Sequence, residues 1–242
     1  MVGFDGDDTL WHSESRFTVT QDDFRELVHR HVPEVDVDTR LADVERQNLS
    51  IYGYGVKSFT LSMLETAIEL TNSRIPASDL EVILSWGKRM LMEPTELLDG
   101  VEVTLGQLGG SYDLLLITKG DLFNQESKLA QSGLSEHFSG IEIVSEKDAE
   151  TYRGVFKRRG IRPEDFVMVG NSLRSDVLPV VTLGARAVHI PYSVTWQHEH
   201  IPDAELPASG WTRITGIRDL PGVLSQLDLE RRAGSSTRRK TG

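Results

Sequence analysis

The chain has no cysteine, so disulfide staples, thiolate nucleophiles and sulfur metal ligands are all excluded. It also lacks long apolar runs. The longest, such as Leu114 to Ile117, are strand-sized, so no membrane span is expected. No basic region followed by an apolar stretch stands at the N-terminus, so no export signal is expected and a cytoplasmic location fits. Basic side chains are in short supply: 26 Lys and Arg against 37 Asp and Glu leave a net charge of -11. That balance argues against a nucleic-acid surface, which needs cations to replace counterions along phosphates. Any phosphate bound here must be held locally. The one basic cluster, at residues 231–240, is polar and without hydrophobic periodicity, and reads as part of a disordered tail over 231–242.

With 242 residues, 38% of them hydrophobic and 26% charged, the chain can bury a sizeable core as an ordinary globular protein. Five short runs read as strands: Val2 to Phe4, Leu114 to Ile117, Ile141 to Val144, Phe166 to Val169 and Arg186 to Ile190. Apolar throughout rather than alternating, they suit a sheet covered on both faces. Helix-like segments over Phe123 to Gln131, Ala149 to Arg159 and Ser175 to Leu183 each end before a glycine. The expectation is an α/β core with a mainly parallel, Rossmann-like sheet, over residues 1–13 and 96–230.

Residues 14–95 interrupt that pattern. They show no convincing strand and three amphipathic helices, which marks a helical insert. Thr20 with Asp23 resembles a capping box ahead of Phe24, Leu27, Val28 and Val32, and Ser78 with Glu81 another ahead of Ile83 and Leu84. The middle helix is expected from about Phe59 to Leu70. Before it, Tyr52-Gly53-Tyr54-Gly55-Val56-Lys57-Ser58 suggests a shaped loop.

The chemistry concentrates at strand ends. Phe4-Asp5-Gly6-Asp7-Asp8-Thr9-Leu10 closes the first strand with two carboxylates two residues apart. Ligands of open α/β sheets bind beyond the carboxyl ends of the strands, where Asp5 and Asp7 would sit. Alone, the run reads equally well as a turn with helix-capping residues. Three further features tip the balance. Thr118 follows the second strand, and its hydroxyl with the backbone N–H groups of Lys119 and Gly120 could hold phosphate oxygens. Lys147 follows the third strand, where an ammonium could neutralise both an attacking carboxylate and a phosphoryl group. Asn171 and Asp176 follow the fourth and offer the hard oxygens that magnesium prefers.

With these four features in order over roughly residues 2–192, the sequence resembles the haloacid dehalogenase superfamily. Its signatures are a DxDxT motif, a strand-end Ser or Thr, a Lys, and an acidic GDxxxD-type motif. The resemblance implies a phosphatase with Asp5 as nucleophile, Asp7 as general acid and base, and Thr118 and Lys147 holding phosphate and offsetting charge. It implies Mg2+ on the Asp5 carboxylate, the Asp7 backbone carbonyl and the Asn171–Asp176 motif. It also implies that the insert is a cap placed between the first two motifs. Two departures stand out. Asn171 replaces the usual Asp after the strand-end glycine, which predicts weaker metal binding. Only four residues precede Asp5, so the first strand is either clipped or begins upstream.

Asp8 with Thr9 reads as the start of the following helix, where negative charge suits the dipole. Lys119 could meet substrate or be solvated. Lys128, mid-helix, reads as a surface residue, which leaves Lys147 as the catalytic lysine. His198 and His200 lack a third ligand at a useful spacing and read as surface residues. Lys57 and Tyr54 could reach from the insert to the part of the substrate beyond phosphate. The expected reaction is hydrolysis of a small phosphorylated metabolite through an aspartyl phosphate, as monomer or homodimer, without nucleic-acid or membrane partners. A phosphomutase with the same chemistry and a non-hydrolytic phospho-receiver are the alternatives.

Overall fold

The computed structural model describes residues 1–193 and 206–238. Six parallel strands form one sheet in the order β3-β2-β1-β4-β5-β6: β1 (Val2–Phe4), β2 (Leu114–Lys119), β3 (Gly140–Val144), β4 (Val167–Gly170), β5 (Arg186–His189) and β6 (Trp211–Arg213). Strand β1 lies between β2 and β4. The chain leaves β1 toward one edge and later returns to its other side, so the strand order reverses there. A crevice opens beyond the carboxyl ends of the strands at such a reversal, and Asp5 follows β1 directly.

The continuous apolar strands are explained by burial on both faces. In β2, Leu114 and Leu116 join Val2, Phe4 and Val169 beneath α5 (Val101–Leu108) and α9 (Leu220–Arg238). Leu115 and Ile117 point the other way, into Met168, Tyr152, Val155 and Val180 of the layer containing α7 (Ala149–Arg159) and α8 (Leu178–Thr182). Truncating Leu115 to Ala in this fully buried layer would cost about 2–5 kcal/mol.

Between β1 and α5 run four helices rather than three: α1 (Glu14–His29), α2 (Val37–Tyr52), α3 (Val56–Leu70) and α4 (Ala77–Met92). They bury a cluster of their own around Phe24, Leu41, Phe59, Met63 and Ile83. Helix α2 escaped the periodicity reading because its buried stripe is thin, with Asn48 continuing Val37, Leu41 and Val44. Asn48 is accommodated by donating to Ser62 Oγ and Glu65 Oε2. Thr20 does not open a helix. It lies inside α1, its hydroxyl donating back to the Arg16 carbonyl. Ser78 likewise sits in the first turn of α4, after Pro76.

Strand β6 was not anticipated, being three residues long with a polar centre. The expected helix at Ser175 to Leu183 begins earlier, as a π-helical turn at Leu173–Val177 that leads into α8. Helix α9 extends through part of the expected disordered tail, as far as Arg238. Its last described side chain, Arg231, pairs with Asp165. His198 and His200 lie outside the described residues. Among the described residues no helix is long and apolar enough to cross a membrane.

Candidate active site

The strand ends converge as the sheet order requires. Asp5 follows β1, Thr118 lies near the end of β2, Lys147 stands three residues beyond β3, and Asp176 lies in the π-helical turn after β4. Lys147, 3% exposed, donates from Nζ to Asp5 Oδ1 and, at 2.8 Å, to Asp176 Oδ1. The remaining oxygens are also held. Thr9 donates to Asp5 Oδ2 at 3.0 Å, and the Ser172 N–H donates to Asp176 Oδ2 at 3.0 Å. Burial disfavours the Lys147 charge, but Asp176 and Asp5 outweigh it and raise its pKa, so the ammonium persists across the neutral range. Burial pushes the Asp5 carboxyl up, the Lys147 charge opposing and the Asp176 charge adding.

Two glycines make this convergence possible. A Cβ on Gly170 would lie 2.1 Å from Asp176 Oδ2, so only glycine lets the π-helical turn fold back over β4. A Cβ on Gly6 would lie 2.7 Å from the Trp11 ring and 3.3 Å from the Thr118 hydroxyl, so glycine lets the Asp5–Asp7 loop tuck beneath β2.

Asp7 has three partners. Lys128 Nζ donates to its Oδ1 at 2.6 Å, Trp11 Nε1 to the same oxygen at 2.7 Å, and Gln125 Nε2 to Oδ2 at 2.8 Å. Burial alone would push this carboxyl up, but the Lys128 charge and the three hydrogen bonds bring it below the ordinary aspartate range. Lys128 is therefore not a solvated surface residue. Gln125 and Lys128 sit three apart on α6 (Leu122–Ser132), one face of which turns toward Asp7. That spacing, just after the Thr118 strand end, was the available sequence signal.

Asp8 adopts a left-handed backbone (φ 60°), which Asp tolerates better than most residues, and its carboxylate accepts the N–H groups of Ser13 and Glu14. It thus caps α1 from a distance, as negative charge at a helix N-terminus should. Burial, with the nearby Asp7 charge, pushes it up to about 7 against these bonds.

Lys119 is neither free nor solvated. Its Nζ donates to Ser175 Oγ at 3.0 Å, lies 3.5 Å from Glu146 and sits 4.5 Å above the Tyr54 ring. Tyr54 in turn donates to Glu146 Oε2, tying the insert to the core. Gly120 has a positive φ of 130°, and Gln125 lies against it. Lys57 stands apart, pairing with Asp121 at 2.9 Å.

The oxygens assigned to a metal fit a hard cation in kind. Asp5, the Asp7 carbonyl, Asn171 and Asp176 offer no nitrogen or sulfur, and the Thr9 hydroxyl lies 3.0 Å from Asp5 Oδ2 and 3.4 Å from Asn171 Oδ1. Among the described residues no three His, Cys, Asp or Glu side chains cluster as a metal site, so an amide and a backbone oxygen would have to complete the set. The buried His189, unnoticed in the sequence, donates from Nε2 to the Asn171 carbonyl at 2.9 Å and steadies that loop.

Beside Asp7 a cavity of about 160 Å³ opens between the insert and the core. Phe17, Glu45 and Phe59 line it from the helices, and Lys119, Asn124 and Gln125 from the β2–α6 side.

Comparison with known proteins agrees with this architecture. A family model for haloacid dehalogenase-like hydrolases matches residues 1–180. The N-acylneuraminate-9-phosphatases of Mus musculus and Rattus norvegicus are similar in sequence. The mouse protein is 27% identical over 139 residues (54% of this chain, 53% of that protein), and the rat protein 23% identical over 209 residues (83% and 81%). The chain thus spans about half the length of the mouse relative. The crystal structure of a haloacid dehalogenase-like family hydrolase from Xanthomonas campestris superposes with a TM-score of 0.85 at 42% identity, covering 95% of this chain and 91% of that one. The chain belongs to the haloacid dehalogenase-like hydrolases.

Proposed function

We propose that this protein is a magnesium-dependent phosphomonoester hydrolase that acts on a small phosphorylated metabolite through an aspartyl phosphate on Asp5. The observation that supports this most directly is the placement of Lys147 between Asp5 and Asp176 at the strand ends. One buried cation beside two carboxylates lowers the repulsion that an anionic phosphoryl group would otherwise meet. The names of the mouse and rat relatives favour phosphate esters.

In this reading an Asp5 oxygen attacks phosphorus in line, and the bond from phosphorus to the leaving oxygen breaks. Asp7, which Lys128, Trp11 and Gln125 hold in its charged form here, takes up a proton from solvent as the substrate binds and gives it to that oxygen. Asp7, now ionised, takes a proton from water as the water attacks the phosphoenzyme, which releases inorganic phosphate and restores Asp5. Lys128, Gln125 and Trp11 fix the orientation of the Asp7 carboxylate and favour its charged form, the state that takes the proton from water. Thr118, with the backbone of Lys119 and Gly120, holds the phosphoryl oxygens. Magnesium, on Asp5, the Asp7 carbonyl, Asn171 and Asp176, would supply further charge neutralisation. Residues 14–95 act as a cap whose closure excludes bulk water.

The test is release of phosphate from p-nitrophenyl phosphate and a panel of phosphorylated metabolites with magnesium present, with Asp5→Asn as the blank. Hydrolysis by the wild type alone is expected. Inactivity of the wild type across the panel, or equal activity in Asp5→Asn, would overturn the reading.

A further inference from the structure

The cavity beside Asp7 lies where the part of a substrate beyond its phosphoryl group would sit, and its wall is mismatched in charge and hydrogen bonding. Five carboxyls line it against two ammonium groups, and both ammonium groups are engaged: Lys128 on Asp7, and Lys119 on Ser175 and Glu146. Most of the carboxyls have local duties too. Asp7 is held by three donors, Asp8 caps α1, and Asp121 pairs with Lys57 while accepting the Asn124 N–H.

Two acceptors have no such duty. Glu45, on α2, makes no hydrogen bond or ion pair with any described residue, and burial pushes its carboxyl up to about 7. Gln125 is 3% exposed, and its amide orientation is fixed because Nε2 must donate both to Asp7 Oδ2 and, at 2.6 Å, to the Lys119 carbonyl. That leaves Gln125 Oε1 buried with no donor in the protein. Buried acceptors are normally satisfied, so an orphaned one on a residue that lines the same cavity as Glu45 points to a donor brought by the ligand.

We propose that this cavity selects phosphate monoesters whose leaving group presents hydrogen-bond donors, as hydroxyls or an ammonium, to Glu45 and Gln125, and rejects those that carry a carboxylate there. The inference rests on the phosphatase reading and narrows its substrate class. Above pH 7, where Glu45 is ionised, a hydroxyl or ammonium satisfies both acceptors, whereas a carboxylate would leave them unmatched and add like charge beside Glu45. The apolar part of the wall, from Phe17, Leu49 and Phe59, gives the carbon skeleton its contact.

The test is competition at pH 8 against p-nitrophenyl phosphate hydrolysis by the magnesium-loaded wild type, with two matched pairs of esters. Glucitol 6-phosphate and 6-phosphogluconate differ by a terminal hydroxyl or carboxylate. Glucose 6-phosphate and glucosamine 6-phosphate differ by a hydroxyl or ammonium. The expected result is that 6-phosphogluconate competes roughly tenfold or more weakly than glucitol 6-phosphate, the gap closing to within about threefold in Glu45→Gln. Tighter competition by glucosamine 6-phosphate would identify the donor as an ammonium, and equal competition as hydroxyls. The wild-type ranking needs no variant, and thermal melting establishes that Glu45→Gln is folded. If p-nitrophenyl phosphate is cleaved but 6-phosphogluconate competes as well as glucitol 6-phosphate, or no ester competes, this inference fails and the phosphatase reading stands. An unchanged gap in folded Glu45→Gln also overturns it. Failure of the wild type to cleave p-nitrophenyl phosphate removes the phosphatase reading and the inference together.

Discussion

The strand-end cluster and the cavity wall lie side by side but are built on opposite principles. At Asp5, Lys147 and Asp176 every charged atom has a partner from the protein: one ammonium bridges two carboxylates, Thr9 takes one remaining oxygen and the Ser172 N–H the other. Along the cavity, Glu45 has no partner among the described residues, and Gln125 keeps one end of its amide unmatched. A reciprocal network holds atoms in place for chemistry that is the same for every substrate. An unmatched wall leaves hydrogen bonds for the variable part of the ligand to make. Asp7 lies at the junction, within the loop that follows Asp5 yet lining the cavity.

The sharpest way to break this contrast is to remove the shared cation. Lys147→Met would leave two buried carboxylates side by side, and should cost about 3–5 kcal/mol in denaturant unfolding and roughly 10³-fold or more in phosphatase activity. A mild effect on both would mean that the cluster is not a reciprocal network. Next in size, Asp7→Asn should slow hydrolysis of alkyl phosphates by roughly 10²–10⁴-fold. Its effect on forming the phosphoenzyme from p-nitrophenyl phosphate should be much smaller, because p-nitrophenolate leaves without a proton. Equal slowing of that step with both ester types would deny Asp7 its role as acid.

Lys128→Met should lower kcat by roughly tenfold, since Trp11 and Gln125 still hold Asp7. An unchanged rate would deny Lys128 a part in positioning Asp7. The smallest effect belongs to the wall. Because burial raises the Glu45 carboxyl to about 7, its contribution to stability is full below the ordinary glutamate range and is lost as pH rises through 7. Glu45→Gln should therefore gain on the wild type by roughly 1–3 kcal/mol at pH 8, and the gain should vanish below about pH 4. Thermal melts at the two pH values read the difference directly.

Much of this molecule was legible because the strands are continuous apolar runs and the candidate site residues follow their ends. Five strands, the parallel order and the meeting of Asp5, Lys147 and Asp176 all follow from that pattern. What was hidden depends on contacts distant in sequence. The cap on α1 is Asp8, six residues before the helix, because a left-handed backbone swings its carboxylate onto the helix end. Helix α2 buries Asn48 where an apolar residue would have signalled it. The Lys128 ammonium meets Asp7 across 121 positions, and only its three-residue spacing from Gln125 sets it apart locally from a solvated lysine. Gln125 Oε1 matters only because both amide hydrogens are already committed.

The central claim is that Asp5 carries the phosphoryl group, and the most direct measurement is acid-quench peptide mapping of Asp7→Asn during turnover of p-nitrophenyl phosphate. Without its base the variant forms the phosphoenzyme faster than it hydrolyses it, so a phosphoryl adduct should accumulate on Asp5. An adduct on any other residue, or phosphate released at the wild-type rate with no adduct, would contradict it.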